Sequence, residues 1–168
     1  MRERRFFFAA WPSTDVLSAL RLRLAQFRQR DWPPAGRCEL PQRWHLTLFY
    51  LGASDPTRLQ KRLDDLWPGP FPITLSFDRI GAFKDGRVLW IGGQEVPPAL
   101  TQWRRGWLAE DGIEADPFLP HVTLLRSPRP WSWEEKSIEP LCWPLQELTL
   151  VASSGGQYTV LRRWPMVS

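Results

Sequence analysis

The stretch His45-Leu46-Thr47-Leu48 returns later in the chain as His121-Val122-Thr123-Leu124, and these two copies contain both histidines of the 168-residue sequence. Threonine occupies eight positions. A Thr two places after a given His therefore arises by chance about 5% of the time, and twice over about once in 400. On a β-strand, residues i and i+2 share a face. His45 and Thr47 then present an imidazole and a hydroxyl on one face, and His121 and Thr123 do the same. Leu46, Leu48, Val122 and Leu124 point the opposite way, into hydrophobic layers. Two such strands laid side by side bring two His and two Thr into one cleft. A single His-x-Thr on a strand is usually structural, but two copies that use every histidine reverse that reading.

Outward from these strands, apolar runs and breakers mark the other elements. Phe6 to Trp11 reads as a buried strand ended by Pro12. Ser13 or Thr14 can cap a helix carrying Val16, Leu17, Leu20, Leu24 and Phe27, which stops before Trp32-Pro33-Pro34. The first motif strand spans Trp44 to Leu51. Asp55-Pro56 opens a second helix, striped with Leu59, Leu63 and Leu66. Ile73 to Phe77 and Val88 to Ile91 read as strands around the Lys84-Asp85-Gly86 turn. Pro97-Pro98 starts a third helix, with Leu100, Trp103, Trp107 and Leu108 near one face. The second motif strand is His121 to Arg126, and Ser127 to Pro140 reads as a Pro- and Trp-rich loop. Leu145 to Ala152 and Gln157 to Trp164 close the chain as a pair of strands. Short turns join the later strands, so the pattern favours α+β over a doubly wound parallel sheet.

The bulk numbers set limits. A hydrophobic fraction of 43% supports a real core, and 24% charged residues is ordinary. The net charge is +4 with a pI near 9.6. The excess lies in residues 1–37, where eight arginines face Glu3, Asp15 and Asp31. Such a surface suits an anionic partner, though a solvated arginine-rich helix face gives the same count. Cys38 and Cys142 form no metal-ligand spacing with either His, so no metal site is expected. No apolar run approaches the ~20 residues of a membrane span. The reading is a cytoplasmic protein, with nothing that demands more than a monomer.

The motif residues suit phosphodiester chemistry. In-line hydrolysis needs one group to take a proton from water and another to give one to the leaving oxygen. Histidine titrates near neutrality and can do either. The threonine hydroxyls can donate to non-bridging phosphate oxygens. From the residues alone, the two histidines' roles are interchangeable.

The sequence resembles the 2H phosphoesterases, and within them the RNA 2′,3′-cyclic phosphodiesterases, also called 2′-5′ RNA ligases. The resemblance runs nearly end to end. It is carried by Arg5-Phe6-Phe7-Phe8-Ala9-Ala10, by Trp44 to Gly52, by Val88-Leu89-Trp90-Ile91-Gly92, by Pro120 to Arg126, and by Tyr158 to Pro165. It implies a single domain, residues 1–168, with two pseudo-symmetric α+β lobes, two antiparallel sheets around a central cleft and helices outside. It implies hydrolysis of a terminal 2′,3′-cyclic phosphate to a 2′-phosphomonoester, reversible 2′-5′ joining of RNA ends without ATP, and no cofactor. It implies His45 as proton donor and His121 as proton acceptor.

Arg126 stands where the family carries a basic residue near the substrate. Its odd offset from His121 would turn it away on a regular strand, so a substrate contact and a surface salt bridge are both open. Trp44, Phe49 and Phe118 lie near the motifs and are candidates for base stacking. Trp131 and Trp133 either cover the cleft or pack on the surface. A small-nucleotide cyclic phosphodiesterase and a non-catalytic RNA-end binding module are the competing readings.

Overall fold

The computed structural model describes residues 4–31, 36–67, 71–111 and 118–166, with the side chains of 28–31, 66 and 108–111 outside the description. The chain order is β1 (Arg5–Ala10), α1 (Thr14–Asp31), β2 (Arg37–Cys38), a 3-10 turn (Pro41–Arg43), β3 (Leu46–Gly52), α2 (Pro56–Leu66), β4 (Thr74–Phe83), β5 (Val88–Gly92), α3 (Pro98–Asp111), β6 (His121–Arg126), β7 (Lys136–Pro144), β8 (Glu147–Ser154) and β9 (Gln157–Pro165). The fold is α+β with an antiparallel sheet, as the short strand connections required.

The helices start where the local chemistry dictates. The Val16 amide donates to the Ser13 hydroxyl at the head of α1. The Asp55 carboxylate accepts from the Thr57 amide, with Pro56 in the first turn of α2. At the β8–β9 hairpin, Gly155 and Gly156 both have positive φ, as a two-residue turn between twisted strands demands.

The strand order is β7-β4-β5-β6-β3-β1-β8-β9, with β2 pairing on β6. The two halves mirror one another: β6-β5-β4-β7 runs one way from the middle, β3-β1-β8-β9 the other. The expected pair of separate sheets is here one continuous sheet, because β3 and β6 pair antiparallel at Leu46↔Val122. That is the whole of their ladder, and it joins the halves between the two motifs.

The sheet has two unlike faces. On one, Phe6, Phe8, Leu46, Leu48, Val122 and Leu124 enter a large core shared with all three helices. Phe8 meets Trp103 and Trp107 of α3 edge-on. On the other, Phe7, Ala9 and Val151 form a small separate cluster beneath Trp11, Tyr158 and Val160. The helices therefore cover one face and leave the other for the site.

The expected loop from Ser127 to Pro140 is corrected at its end. β7 begins at Lys136 and carries Pro140 and Pro144 within it. Prolines survive there because β7 is the edge of the sheet, and its ladder with β4 shifts register between Phe77 and Arg79. Trp131 and Trp133 do not reach the motif strands. Trp133 packs edge-on against Phe27 of α1, and Trp131 is exposed. The expected stop of the third helix at Asp111-Gly112 meets the observed end of α3, while Gly112 itself and the Trp32-Pro33-Pro34 breaker lie outside the described residues.

Candidate active site

A cleft of about 440 Å³ opens on the helix-free face, and His45, Thr47, His121 and Thr123 all line it. β3 and β6 supply them. The apolar partners Leu46, Leu48, Val122 and Leu124 are fully buried on the opposite face and hold each strand in place. His45 itself precedes β3 by one residue, at the exit of the Pro41–Arg43 turn.

Both imidazoles are fixed in the same way. His45 Nδ1 donates to the Arg43 carbonyl at 2.7 Å, and His121 Nδ1 donates to the Leu119 carbonyl at 2.7 Å. In each case the acceptor lies two residues upstream. This bond commits Nδ1 as the donor and leaves Nε2 as the nitrogen that can exchange a proton with a substrate.

Burial pushes the pKa of each ring below the ordinary histidine value. At His45 the Arg43 carbonyl and the Glu39 carboxylate oppose that fall, while the charges of Arg43 and His121 add to it. At His121 the Leu119 carbonyl opposes it and the Arg126 charge adds to it.

Aromatic rings build the surroundings. Phe7 stacks on His45 with centroids 5.2 Å apart, Tyr158 meets it edge-on at 5.2 Å, and Trp11 lies at 5.0 Å. Phe83 and Trp90 meet His121 edge-on at 5.1 and 6.2 Å. Two glycines make room on the His121 side. A Cβ on Gly81 would fall 2.4 Å from the Trp90 ring, and one on Gly92, the ladder partner of His121, would fall 2.2 Å from the Pro120 carbonyl oxygen.

The odd offset of Arg126 is resolved by a bulge. Leu89 pairs with Leu125 and Trp90 with Thr123, so Leu124 is an extra residue in β6. The two consecutive leucines are both buried, and the strand parity resets. Arg126 returns to the face of His121 and Thr123, where it lines the cleft. It also donates from Nε to Glu39 at 3.0 Å, with 58% of its side chain exposed, so it makes a salt bridge while lining the cleft.

β3 carries the same device. Ala9 pairs with Thr47 and Phe8 with Phe49, which leaves Leu48 as the extra residue and turns Tyr50 into the cleft.

The stacking candidates are corrected. Trp44 is only 2% exposed and donates from its indole to the Glu39 carbonyl. Phe49 is 8% exposed and packs toward Trp107 on the helix side, because the bulge sends it inward. Phe118 lies under the Arg104 guanidinium, 3.9 Å from it, away from the cleft lining. The aromatics that do face the site are Phe7, Tyr50 and Tyr158, accompanied by Arg5, Arg43 and Glu39. For Phe7 the sequence held a signal: in the run Phe6-Phe7-Phe8, alternation sends the middle ring to the face opposite the other two. Tyr158 comes from the terminal hairpin and carried no local signal. Among the described residues, no three His, Cys, Asp or Glu side chains gather as a metal-ligand group. No described helix is long and apolar enough to cross a membrane.

Comparison with known proteins extends this picture to the whole chain. Residues 16–157 match the family model of the 2′-5′ RNA ligase superfamily. The chain is 32% identical over 182 residues to the RNA 2′,3′-cyclic phosphodiesterase of Escherichia coli (strain K12), covering 97% of each protein. It superposes on the crystal structure of E. coli LigT complexed with 3′-AMP with a TM-score of 0.72, at 30% identity over 99% of both chains. The TT0787 protein of Thermus thermophilus shares the fold with a TM-score of 0.74, at 23% identity over 96% of this chain and 97% of that one. With paired motif strands meeting at the centre of one sheet and a match that runs almost end to end, the chain belongs to the 2′-5′ RNA ligase superfamily.

Proposed function

We propose that the protein is a metal-independent RNA 2′,3′-cyclic phosphodiesterase that opens a terminal 2′,3′-cyclic phosphate to a 2′-phosphomonoester. Reversible 2′-5′ joining of RNA ends without ATP would use the same centre. The observation that carries the reading is the convergence of both His-x-Thr pairs on one cleft, each ring held through Nδ1 by a backbone carbonyl.

The chemistry follows from that geometry. Thr47 and Thr123 donate their hydroxyls to the non-bridging oxygens and orient the phosphorus. Neutral His121 takes a proton from water at Nε2 as the water oxygen bonds to phosphorus. The P–O3′ bond breaks in line, and protonated His45 gives its Nε2 proton to the departing 3′ oxygen. One water is consumed, and exchange with solvent restores both rings. Arg126, on the same face, sets positive charge beside the phosphate.

The test is an oligoribonucleotide ending in a 2′,3′-cyclic phosphate, incubated with the protein and excess chelator. The expected product is the 2′-phosphomonoester. Loss of activity in chelator, or full activity in His45→Ala or His121→Ala, would overturn the reading.

A further inference from the structure

A second groove, larger than the catalytic cleft at about 710 Å³, runs beside it. The two share Arg43 and Tyr158, whose guanidinium and ring lie 4.7 Å apart. Trp11 lines the groove and Tyr158 both spaces, and each of these rings touches His45. The groove therefore continues the cleft on the His45 side. The His121 ring instead meets Phe83 and Trp90, neither of which lines the groove.

That placement has chemical meaning. In an in-line displacement, water enters opposite the leaving oxygen, and the ribose hangs from that oxygen. When His45 protonates O3′, the ribose and the RNA chain joined to its 5′ carbon lie on the His45 side. The groove wall suits such a chain. Trp11 and Tyr158 offer aromatic faces, Gln42 and Gln157 offer exposed amides, and Arg43 and Arg163 offer positive charge, the latter shared with Glu147. Aromatic platforms interleaved with cations bind single strands with little regard to base.

Resting on the reading above, we propose that this groove is a subsite for the nucleotides immediately 5′ of the cyclic phosphate. Nucleotides in the groove hold the terminal ribose with O3′ directed at His45.

The experiment compares kcat/KM for uridine 2′,3′-cyclic monophosphate with that for a tetraribonucleotide ending in the same group. Wild type is compared with the double variant Gln42→Glu, Gln157→Glu, which sets two negative charges in the groove. The wild type should favour the tetranucleotide by about tenfold or more, by an amount that shrinks as salt rises. The double variant should lose that advantage while its mononucleotide kcat/KM, the check on folding, stays within about twofold of wild type. A converse variant, Gln157→Lys, should raise kcat/KM for the tetranucleotide alone. Equal kcat/KM for the two substrates in wild type, or equal falls for both in the double variant, would overturn the groove subsite and leave the phosphodiesterase reading standing. Hydrolysis of neither substrate by the wild type would overturn both.

Discussion

The β3 and β6 strands share a backbone plan and differ in what that plan displays. A histidine bonded through Nδ1 to the carbonyl two residues upstream stands immediately before β3 and at the start of β6. Each carries a threonine, then a leucine bulge that resets the pleat. Past the bulge, β3 turns Tyr50 into the cleft and β6 turns Arg126. The backing aromatics also come from different places. Phe7, opposite Tyr50 in the ladder, stacks on His45, whereas Trp90, opposite Thr123, meets His121 edge-on. The larger groove adjoins only the His45 side. A duplicated frame thus yields two imidazoles with nearly equal surroundings in burial and unequal surroundings in charge and space. In the proposed mechanism, that inequality distinguishes the ring that serves the leaving oxygen from the ring that serves the water.

The largest expected effect breaks the pair outright. His45→Ala and His121→Ala should each lower kcat by about 10³-fold. Their residual pH profiles should differ. With His45 as acid, its removal deletes the basic limb of the bell, while removing His121 deletes the acidic limb. Identical residual profiles would break the assignment of roles. Because both pKa values lie below the ordinary histidine range, the wild-type maximum in kcat/KM should fall on the acid side of about pH 6.5.

Thr47→Val and Thr123→Val come next, each lowering kcat by about 10² with unchanged circular dichroism. Gly92→Ala should act on one half only. Crowding the Pro120 carbonyl should cost about 2 kcal/mol of stability in denaturant titration and shift the His121 ring resonances more than those of His45.

At the sixth position of each motif, Arg126→Ala should raise KM about tenfold, and Tyr50→Ala about threefold, since only one of them brings charge. Steady-state kinetics on a cyclic-phosphate oligonucleotide separates the two. The smallest effect is on stability. Folded-state pKa values lowered at both rings mean that the unfolded chain binds protons first, so their contribution is present above about pH 6.5 and lost as pH falls through the lowered values. Unfolding free energies of His121→Gln and wild type should therefore converge in acid.

Most of the described strands and the helices α1, α2 and α3 were legible because their apolar patterns are strong. β6 runs from His121 to Arg126 as read, and α2 opens at Asp55-Pro56. Elsewhere polar and ring-closed residues disguised strands. β4 continues past Phe77 to Phe83 although Asp78, Arg79 and Gly81 interrupt its hydrophobic run. Arg79 is neutralised there by Asp78 and Glu135, and the gap at Gly81 is filled by Trp90. β7 was hidden by its prolines, which only an edge position permits.

The four motif side chains could be placed by strand parity alone. Arg126 could not, since parity fails at a bulge and a bulge is a property of two paired strands. The rings around His45 were illegible for a similar reason: Phe7, Trp11 and Tyr158 meet only once β1 has docked between β3 and β8.

The single pair Leu46↔Val122 is the seam between the halves, while β8 and β9 are laced together along their full length. Amide exchange with heavy water reports how readily each ladder parts, and a one-rung ladder has little to hold it shut beyond the core beneath. The line across this sheet with the shortest ladder therefore passes between its two imidazoles, and amide exchange along it would show whether the spacing used by the proposed proton transfer fluctuates.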